Sequence, residues 1–377
     1  MVSGQSMAKL DELMANPQRF LQQRAASMGK ETPEWVALAL IKLAANDHQL
    51  ALKQMNTLKL VKSLNSEQLE WVWAVIARQA AMSFDPKAVV YFESTGLGQG
   101  LSDELLAWKV RAALRSEDGP RWPMVESAVQ AMSPNAQKDP AWVYWRARAL
   151  MAKQPASTTT LPQALMALQS IAGHHGFYEQ LALEELGQKI TLPARPAPPT
   201  PAEMDAVKNN PGFQRAVHAI RLGIRQEGVK EWNYTAGLVD AQGKRGRMTD
   251  REKQAAAQWA CEMEIWDRCI SSTERTSQYD VNHRFPMPFK EEVLSRTRDI
   301  NLEAAYVYGL IRQESRFVIN ARSSVGASGL MQVMPRTAKW TAKKIGLKNF
   351  QPDQLNQRDT NIAIGTGYLK LVLDNFH

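Results

Sequence analysis

Tryptophan recurs at a nearly constant interval through the first 150 residues. Trp35, Trp71, Trp108 and Trp142 are separated by 36, 37 and 34 residues. Each follows a helix-start signal: Thr32-Pro33-Glu34, Ser66-Glu67, Ser102-Asp103-Glu104 and Asp139-Pro140. In these signals a Ser, Thr or Asp caps the first amides and a proline or an acid occupies the first turn. A second helix with apolar periodicity and a turn lie between successive tryptophans. A helical-hairpin period of this size indicates an α-solenoid, because each hairpin buries its apolar face against the next one.

The tryptophans are interpreted as packing residues at hairpin interfaces, since aromatic residues at helical spacing usually face a core rather than a ligand. Strand-like alternation is almost absent, so we expect a mainly α chain that begins with a superhelical solenoid domain over residues 1–190. A polar break at 155–160 interrupts it. We expect no metal at His174 and His175, because adjacent histidines on a helix point apart and no further ligand lies at a useful spacing.

Proline marks the clearest boundary in the chain. Five prolines fall within residues 192–201, so this stretch forms neither helix interior nor central strand, and we interpret 191–201 as a semi-rigid linker. Helical periodicity returns after it, which predicts a helical linker domain over 202–290. A second connection that contains proline leads into a final domain, 291–377, where the residues capable of chemistry concentrate.

The chain has two cysteines, Cys261 and Cys269, so no disulfide framework holds it together. On one unbroken helix they would lie roughly 12 Å apart along the axis, which is too far for a disulfide. A turn of the chain between them would allow them to meet. We expect free or structural thiols rather than a disulfide.

The net charge of +8 favours an anionic partner but does not choose among nucleic acid, membrane headgroups and an acidic glycopolymer. Basic residues are scattered, with small clusters at 244–247 and 339–344, and no nucleic-acid recognition motif accompanies them. No apolar run is long enough to span a membrane, and the first residues lack the pattern of a secretory signal. Metal-ligand spacings and nucleotide-binding loops are also absent from the sequence, so we expect no cofactor.

One acid in the final domain has a position suited to catalysis. Asn301 is a predicted N-cap with Glu303 in the first turn, and the helix is expected to end near Glu314 and Ser315. The predicted apolar face consists of Leu302, Ala305, Tyr306, Gly309, Leu310 and Gln313. Burial and the negative helix C-terminus would both raise the pKa of Glu314, as a general acid requires. The alternative is an exposed acid paired with Arg312 or Arg316.

The residues that follow suit a ligand site. Residues 323–329 form a small-residue loop that allows close approach of the backbone and supplies hydroxyls. Gln332 stands in the apolar run 330–334, where its amide needs a partner and a polar ligand is one possibility. Pro335 is expected to open the next helix, and Asp359 to cap the last one.

This pattern resembles the soluble lytic transglycosylases that cleave bacterial peptidoglycan. The resemblance is carried by Glu314-Ser315, by Ser323 nine residues after the glutamate, by the run 326–332 (GASGLMQ) and by Met334-Pro335. The solenoid and the proline-rich linker extend the likeness over most of the chain. It implies a lysozyme-like, mostly helical catalytic domain docked on a ring- or horseshoe-shaped solenoid.

The resemblance also implies roles for individual residues. Glu314 would be the only catalytic acid and base, and Ser323 would hydrogen-bond and orient it. Gln332, Met334 and Ser315 would contact the glycan. The family reaction cleaves the β-1,4 bond between N-acetylmuramic acid and N-acetylglucosamine and leaves a 1,6-anhydromuramoyl end. A periplasmic location and a role in cell-wall turnover and recycling, with peptidoglycan strands as the partner, are implied in the same way.

One feature of the sequence supports this mechanism without the resemblance. Ordinary glycosidases use two carboxylates that flank the scissile bond. Residues 315–352 contain no Asp or Glu, so Glu314 has no acidic neighbour on its C-terminal side. Asp353 or Asp359 could still supply a second acid through the fold.

Two features differ from the family pattern. The family carries an aromatic-Asn-Ala-Gly motif after the helix that contains residues 365–369, and this chain stops at His377, so we expect a catalytic domain truncated at its C-terminus. The chain also starts without an export signal. A non-catalytic peptidoglycan-binding scaffold is the main alternative, although a binding domain has no chemical reason to keep Glu314. A nucleic-acid binder is disfavoured, and the basic clusters are interpreted as solvated faces or as a rim that attracts peptidoglycan carboxylates.

Overall fold

The structure is a computed structural model that describes residues 4–25, 33–57, 59–153, 160–237 and 248–375. Within these ranges the protein is built from helices, and the only β pairing consists of the isolated bridges Arg322–Ser328 and Ser328–Val333. The mainly α fold class expected from the sequence is confirmed. The chain forms two compact units, Met1–Thr191 and Leu192–His377.

The N-terminal unit is a succession of short α-helices. They are α1 (Gly4–Ala15), α2 (Pro17–Ala25), α3 (Pro33–Asn46), α4 (His48–Thr57), α5 (Ser66–Met82), α6 (Ala88–Glu93), α7 (Asp103–Leu114), α8 (Trp122–Ala131), α9 (Pro140–Met151), α10 (Thr160–Ile171) and α11 (Phe177–Glu185), with 3₁₀ turns at Lys59–Ser63 and Ala136–Lys138. The four periodic tryptophans lie in α3, α5, α7 and α9, and each is partly buried against the apolar core of its hairpins. Their predicted packing role is confirmed.

Side-chain caps start these helices where the sequence signals them. Ser102 accepts a hydrogen bond from the amide of Leu105, and Asp139 accepts one from Ala141. At α5 the cap is one residue earlier than predicted, because Asn65 and Gln68 form a reciprocal capping box. The corresponding residue before α3, Thr32, lies outside the described residues.

Several sequence features fall at the edges of the described ranges. The polar break at 155–159 and the basic cluster at 244–247 lie outside them.

His174 and His175 precede α11, and the centres of their rings are 4.2 Å apart. Among the residues that the structure describes, no group of three or more His, Cys, Asp or Glu side chains is arranged to hold a metal ion. In the same part of the chain, no helix combines the length and the apolarity needed to cross a bilayer.

The C-terminal unit begins with an irregular segment and six helices. These are α12 (Pro201–Lys208), α13 (Pro211–Arg221), α14 (Arg225–Thr235), α15 (Asp250–Glu262), α16 (Trp266–Thr273) and α17 (Val281–Arg284). Phe213, Trp232 and Trp259 stack in their core. Arg251 of α15 donates hydrogen bonds to the carbonyls of Ala197 and Pro198, so one guanidinium holds the proline-rich segment against the helices.

The two cysteines are joined in a disulfide, and the expectation of free thiols is wrong. Cys261 lies near the end of α15 and Cys269 in α16, with their Cα atoms 5.1 Å apart. The helix assumed from the sequence is interrupted at Met263 to Ile265, where Glu264 takes the left-handed conformation with φ 58°. This turn places the two sulfur atoms on facing helices.

The remaining helices carry the predicted catalytic residues. They are α18 (Lys290–Asp299), α19 (Ala304–Glu314), α20 (Pro335–Lys344) and α21 (Arg358–Asp374), with a 3₁₀ turn at Pro352–Asn356. Pro335 opens α20 as predicted. Two predicted caps are wrong: Asn301 is left-handed with φ 50° and α19 starts after Glu303, while Asp359 lies in the first turn of α21, after Gln357.

The predicted apolar face of α19 is also wrong in part. Val307 and Ile311 are the buried residues of this helix, whereas Tyr306 is 64% exposed and Gln313 is exposed as well. The error arises because α19 has apolar residues on two sides. Only one side packs on the core, and the other side is free to form the wall of a groove.

We expect reduction of the Cys261–Cys269 disulfide to destabilise the protein. Closing a loop of about eight residues lowers the entropy of the unfolded chain, which corresponds to about 2.5 kcal/mol of folding free energy. Urea unfolding with and without a reducing agent measures the difference. A Cys261→Ala/Cys269→Ala variant should match the reduced protein in stability and should not respond to the reductant. Equal stability of oxidised and reduced wild type would contradict the stabilising role.

The pH dependence of unfolding should report on Glu203. Hydrogen bonds from Arg251 and from Thr200 lower the pKa of Glu203 from 4.5 to about 2. A carboxyl whose pKa is depressed in the folded state stabilises the fold above its unfolded pKa, and the contribution is lost as pH falls through about 2. The urea midpoint of Glu203→Gln should therefore fall less than that of wild type between pH 5 and pH 2. Glu227→Gln, which removes an exposed acid paired with Lys230, should retain the wild-type slope.

Candidate active site

Glu314 is the last residue of α19, as the sequence predicts, but its side chain is exposed. The burial expected from an apolar helix is absent, although Glu314 follows the core residue Ile311 by three positions and shares its side of the helix, because Glu314 ends α19 and its side chain opens onto a groove. The carboxylate has no hydrogen-bond partner among the described residues. It is therefore accessible to a ligand.

The predicted alternative, an exposed acid paired with Arg312 or Arg316, is right about the exposure and wrong about the pairing. Both arginines are bound to Glu274 instead, with closest nitrogen–oxygen distances of 2.7 Å for Arg312 and 3.0 Å for Arg316. On a helix, two residues in sequence correspond to about 200° of rotation, so Arg312 points away from Glu314. The two arginines beside the acid thus share one other carboxylate, that of Glu274.

The chain turns sharply after Glu314. Arg316 and Phe317 both have left-handed backbone conformations, with φ 49° and φ 65°. Neither is glycine, and the left-handed conformation costs roughly 1–2 kcal/mol for each such residue. Phe317 is buried in the core of α18 to α21, which offsets part of this cost. The turn directs the chain into the loop that forms the opposite wall of the site.

Glu314 opens onto a groove of about 410 Å³ in the C-terminal unit. Three residues predicted from the sequence, Glu314, Gln332 and Met334, line it together. Its remaining described lining residues are mostly apolar: Leu310, Met331, Val333, Thr337, Gly365, Tyr368, Leu369 and Val372. Glu314 is the only carboxylate among the described residues that line this groove. Asp353 and Asp359, the two possible second acids, are exposed and lie outside the lining.

Gln332 presents one end of its amide to the groove. Its Nε2 donates hydrogen bonds to the carbonyls of Ala321, at 3.0 Å, and Gly329, at 2.8 Å. Its Oε1 accepts no hydrogen bond from the described residues, so the carbonyl is available to a donor on a ligand. The backbone of Gln332 is left-handed with φ 44°, and the two bonds hold the side chain in that turn.

The structure does not bring Ser323 or Ser315 into the groove lining. The Ser323 hydroxyl oxygen accepts a hydrogen bond from the amide of Ala327 at 3.0 Å, and the Ser323 amide donates to the Ala327 carbonyl at 2.9 Å. These bonds close the loop over residues 323–327. Ser315 donates its hydroxyl to the carbonyl of Ile311 at 3.2 Å. Within the described residues, neither serine is hydrogen-bonded to Glu314.

Asn361, which the sequence analysis missed, fixes the wall that carries Gln332 and Met334. It is 0% exposed, and its Oδ1 accepts a hydrogen bond from the amide of Met331 at 2.8 Å. Its Nδ2 donates to the carbonyls of Ser328, at 3.0 Å, and Leu355, at 2.8 Å. One amide therefore ties α21, the loop before α20 and the 3₁₀ turn together. The signal in the sequence was an asparagine directly before the apolar residues Ile362 to Ile364 of this helix.

Two glycines allow this close packing. At Gly329, which has φ 79°, a Cβ atom would come within 2.0 Å of Asn361 Nδ2. At Gly365 on α21, a Cβ atom would meet the Met331 sulfur at 2.3 Å. Tyr368, which the sequence also did not single out, lies one turn beyond Gly365 in the groove lining. Its ring packs edge-on against that of Trp340, with 6.3 Å between the ring centres. The small residues of α21 thus set the depth of the groove.

Comparison with known proteins agrees with this geometry. Residues 293–377 match the family model of the Transglycosylase SLT domain. Two curated relatives are the soluble lytic murein transglycosylases of Salmonella typhimurium, 27% identical over 348 residues, and of Escherichia coli K12, 25% identical over 347 residues. Both alignments cover 92% of this chain and 51% of the relative. The chain spans about half the length of the curated relatives it matches.

Solved structures show the same fold. An inactive mutant of the lytic transglycosylase Slt from Pseudomonas aeruginosa matches with a TM-score of 0.76 at 28% identity, over 98% of this chain and 58% of that chain. The 70 kDa soluble lytic transglycosylase of Escherichia coli matches with a TM-score of 0.75 at 23% identity, over 97% of this chain and 56% of that chain. The family resemblance stated from the motif is confirmed.

Replacing Asn361 by alanine should destabilise the protein by about 1–3 kcal/mol, because the buried amide of Met331 would lose its acceptor. Urea unfolding measures the change. Asn356→Ala is a suitable control, since Asn356 is exposed and donates only to the Asp353 carbonyl at 3.4 Å, and its effect should stay within about 0.5 kcal/mol. Equal stability of both variants would show that Asn361 does not hold the wall.

Proposed function

Because the chain is a relative of the soluble lytic murein transglycosylases, we propose that it cleaves the β-1,4 bond between N-acetylmuramic acid and N-acetylglucosamine in peptidoglycan. The observation that carries this proposal is the groove in which Glu314 is the only carboxylate among the described lining residues. A groove with two carboxylates would suit hydrolysis by a general acid together with a nucleophile or a base. A groove with one suits a reaction in which the substrate supplies the nucleophile.

In the first step, protonated Glu314 donates its proton to the glycosidic oxygen as the bond to C1 of the muramic acid breaks. Positive charge develops at C1 and the ring oxygen. The 2-acetamido group of the same sugar stabilises that charge from within the substrate, which removes the need for a second protein carboxylate. The mostly apolar lining around Glu314 limits water near the reacting bond.

In the second step, the Glu314 carboxylate accepts the proton of the muramic acid 6-hydroxyl, and the 6-oxygen bonds to C1. The product is a 1,6-anhydromuramoyl end, and the glutamate regains its proton for the next turnover. No water is consumed, so the product is lighter by one water than a hydrolytic product. The free Oε1 of Gln332 and the exposed thioether of Met334 are the groups proposed to contact the glycan beside Glu314.

The two serines have supporting roles in this proposal. Ser323 holds the loop over 323–327 through the Ala327 amide, and its hydroxyl hydrogen is available to orient the Glu314 carboxylate once substrate is bound. Ser315 follows the acid directly and is proposed to contact the glycan. Neither role requires a metal or a cofactor, because proton transfer and intramolecular attack complete the reaction.

We also propose a periplasmic location and a part in cell-wall turnover and recycling. The Cys261–Cys269 disulfide supports this location, since structural disulfides persist in oxidising compartments. Lys339, Lys343 and Lys344 are exposed on α20, the helix that carries the lining residue Thr337. They suit a polymer whose peptide stems carry carboxylates. The proposed organisation is a superhelical domain over 1–190, a linker at 191–201, a helical linker domain over 202–290 and the catalytic domain from 291.

Mass spectrometry of soluble products from peptidoglycan tests the reaction, with Glu314→Gln as the decisive variant. General acid–base catalysis contributes roughly 10²- to 10⁴-fold, so the variant should release anhydro products at least a hundredfold more slowly while unfolding at the wild-type midpoint. Glu303→Gln, an exposed acid at the other end of α19, is the matched control and should retain wild-type activity.

Three outcomes would contradict the proposal. Products that contain an added water would show that the protein acts as a hydrolase and not as a transglycosylase. Full activity of Glu314→Gln would remove this acid from the mechanism. Binding of peptidoglycan without any product from wild type would favour the non-catalytic scaffold.

A further inference from the structure

Glu274 lies outside the region that matches the transglycosylase domain, yet it contacts the helix that carries the proposed catalytic acid. It is the first residue after α16. Its Oε1 accepts a hydrogen bond from Arg312 at 2.7 Å, and its Oε2 lies 3.0 Å from Nη2 of Arg316. Glu314 stands midway between these two arginines in the sequence. One carboxylate therefore holds the chain on both sides of the acid.

Each arginine is held by further contacts from the segment before residue 293. The Nε of Arg312 donates to the carbonyl of Arg284 at 2.7 Å, and its guanidinium lies 4.6 Å from the centre of the Phe285 ring. Arg316 donates through Nη1 to the hydroxyl of Ser271 at 2.6 Å. The guanidiniums are thus fixed in orientation, and so is the last turn of α19.

The element that carries Glu274 is rigid. Residues Asp267 to Thr273 of α16 are all buried, and Cys269 within them is linked to α15 by the disulfide. The hydroxyl of Ser271, which accepts from Arg316, also accepts from buried Arg268. A catalytic group is held most accurately by an element whose own side chains cannot move.

The contacts of Glu274 with Arg312 and Arg316 are called the Glu274 clamp below. The backbone beyond Glu314 shows why these contacts are needed. Arg316 is left-handed, and so is Phe317 after it. Strained residues persist only where the surrounding contacts over-determine them. The bonds of Arg316 to Glu274 and Ser271 are the side-chain hydrogen bonds and ion pairs that hold this turn, beside the burial of Phe317. Without them the turn can relax toward ordinary backbone angles, and Glu314 would move with it.

We propose that Glu274 is a positioning residue for the transglycosylase reaction, acting through Arg312 and Arg316 on the orientation of Glu314. This inference rests on the proposed function of Glu314. Loss of the clamp should affect the chemical step rather than glycan binding, because Glu274 itself lies outside the described groove lining. A displacement of about 1 Å in a catalytic group can reduce a rate by as much as 10²-fold.

The test compares Glu274→Gln with Glu274→Asp and with Glu262→Gln as the matched control. Glu262 is an exposed acid of the same unit that pairs with Lys208. Steady-state cleavage of soluble glycan strands should show kcat about tenfold to a hundredfold lower in Glu274→Gln, with KM within twofold of wild type. Glu274→Asp, which keeps the charge on a shorter side chain, should recover part of the loss. Glu262→Gln should match wild type.

Hydrogen exchange gives a readout that is independent of activity. The amides of Ser315, Arg316 and Val318 are bonded within the turn, and in Glu274→Gln they should exchange at least tenfold faster, while amides of α20 stay unchanged. Unchanged exchange in the turn would overturn the clamp. Faster exchange with wild-type kcat would overturn the positioning role. A wild-type protein without activity would instead refute the proposed function, and the exchange data would still decide whether Glu274 holds the turn.

Discussion

The C-terminal unit depends on the burial of α16, a helix of eight residues whose polar side chains have almost no access to water. Burying a charge is costly unless it is paired and hydrogen-bonded, so the contacts of this helix leave little freedom for alternatives. Asp267 is paired with Arg225 and Arg268, and Ser272 accepts a hydrogen bond from Trp232 at 3.0 Å. Burial lowers the pKa of Arg268 from its ordinary value, against the opposing effect of Asp267. Because its partners come from several surrounding helices, α16 fixes their positions as well as its own.

Much of the fold could be predicted from local patterns. The tryptophan period and the caps Ser102 and Asp139 are signals visible in the sequence, and both interpretations agree with the structure. The end of α19 at Glu314 and the start of α20 at Pro335 are also where the sequence places them. The caps and helix ends depend on interactions within about four residues, and the tryptophan period is a repeat along the chain, so a linear sequence displays both directly.

Several of the errors share a physical cause, which is that the deciding contact comes from far along the chain. The turn at Glu264 that joins the cysteines in a disulfide has no glycine to signal it. The face of α19 that packs inward is selected by the core around Phe317 and not by the helix itself. Asn361 and Glu274 act on residues 30 and 38 positions away, and their importance lies in partners that no local pattern names.

The Glu274 clamp has a consequence for where a fragment of this chain should begin. The region recognised as a transglycosylase domain begins at residue 293, after Glu274, Ser271 and the Arg284 carbonyl. A fragment cut at that boundary would carry the acid, the groove and the Asn361 amide, but neither arginine beside Glu314 would have its carboxylate. The catalytic module that we propose therefore extends further towards the N-terminus than the region defined by sequence similarity. A fragment that begins near residue 250 would keep Glu274 together with the arginines beside Glu314.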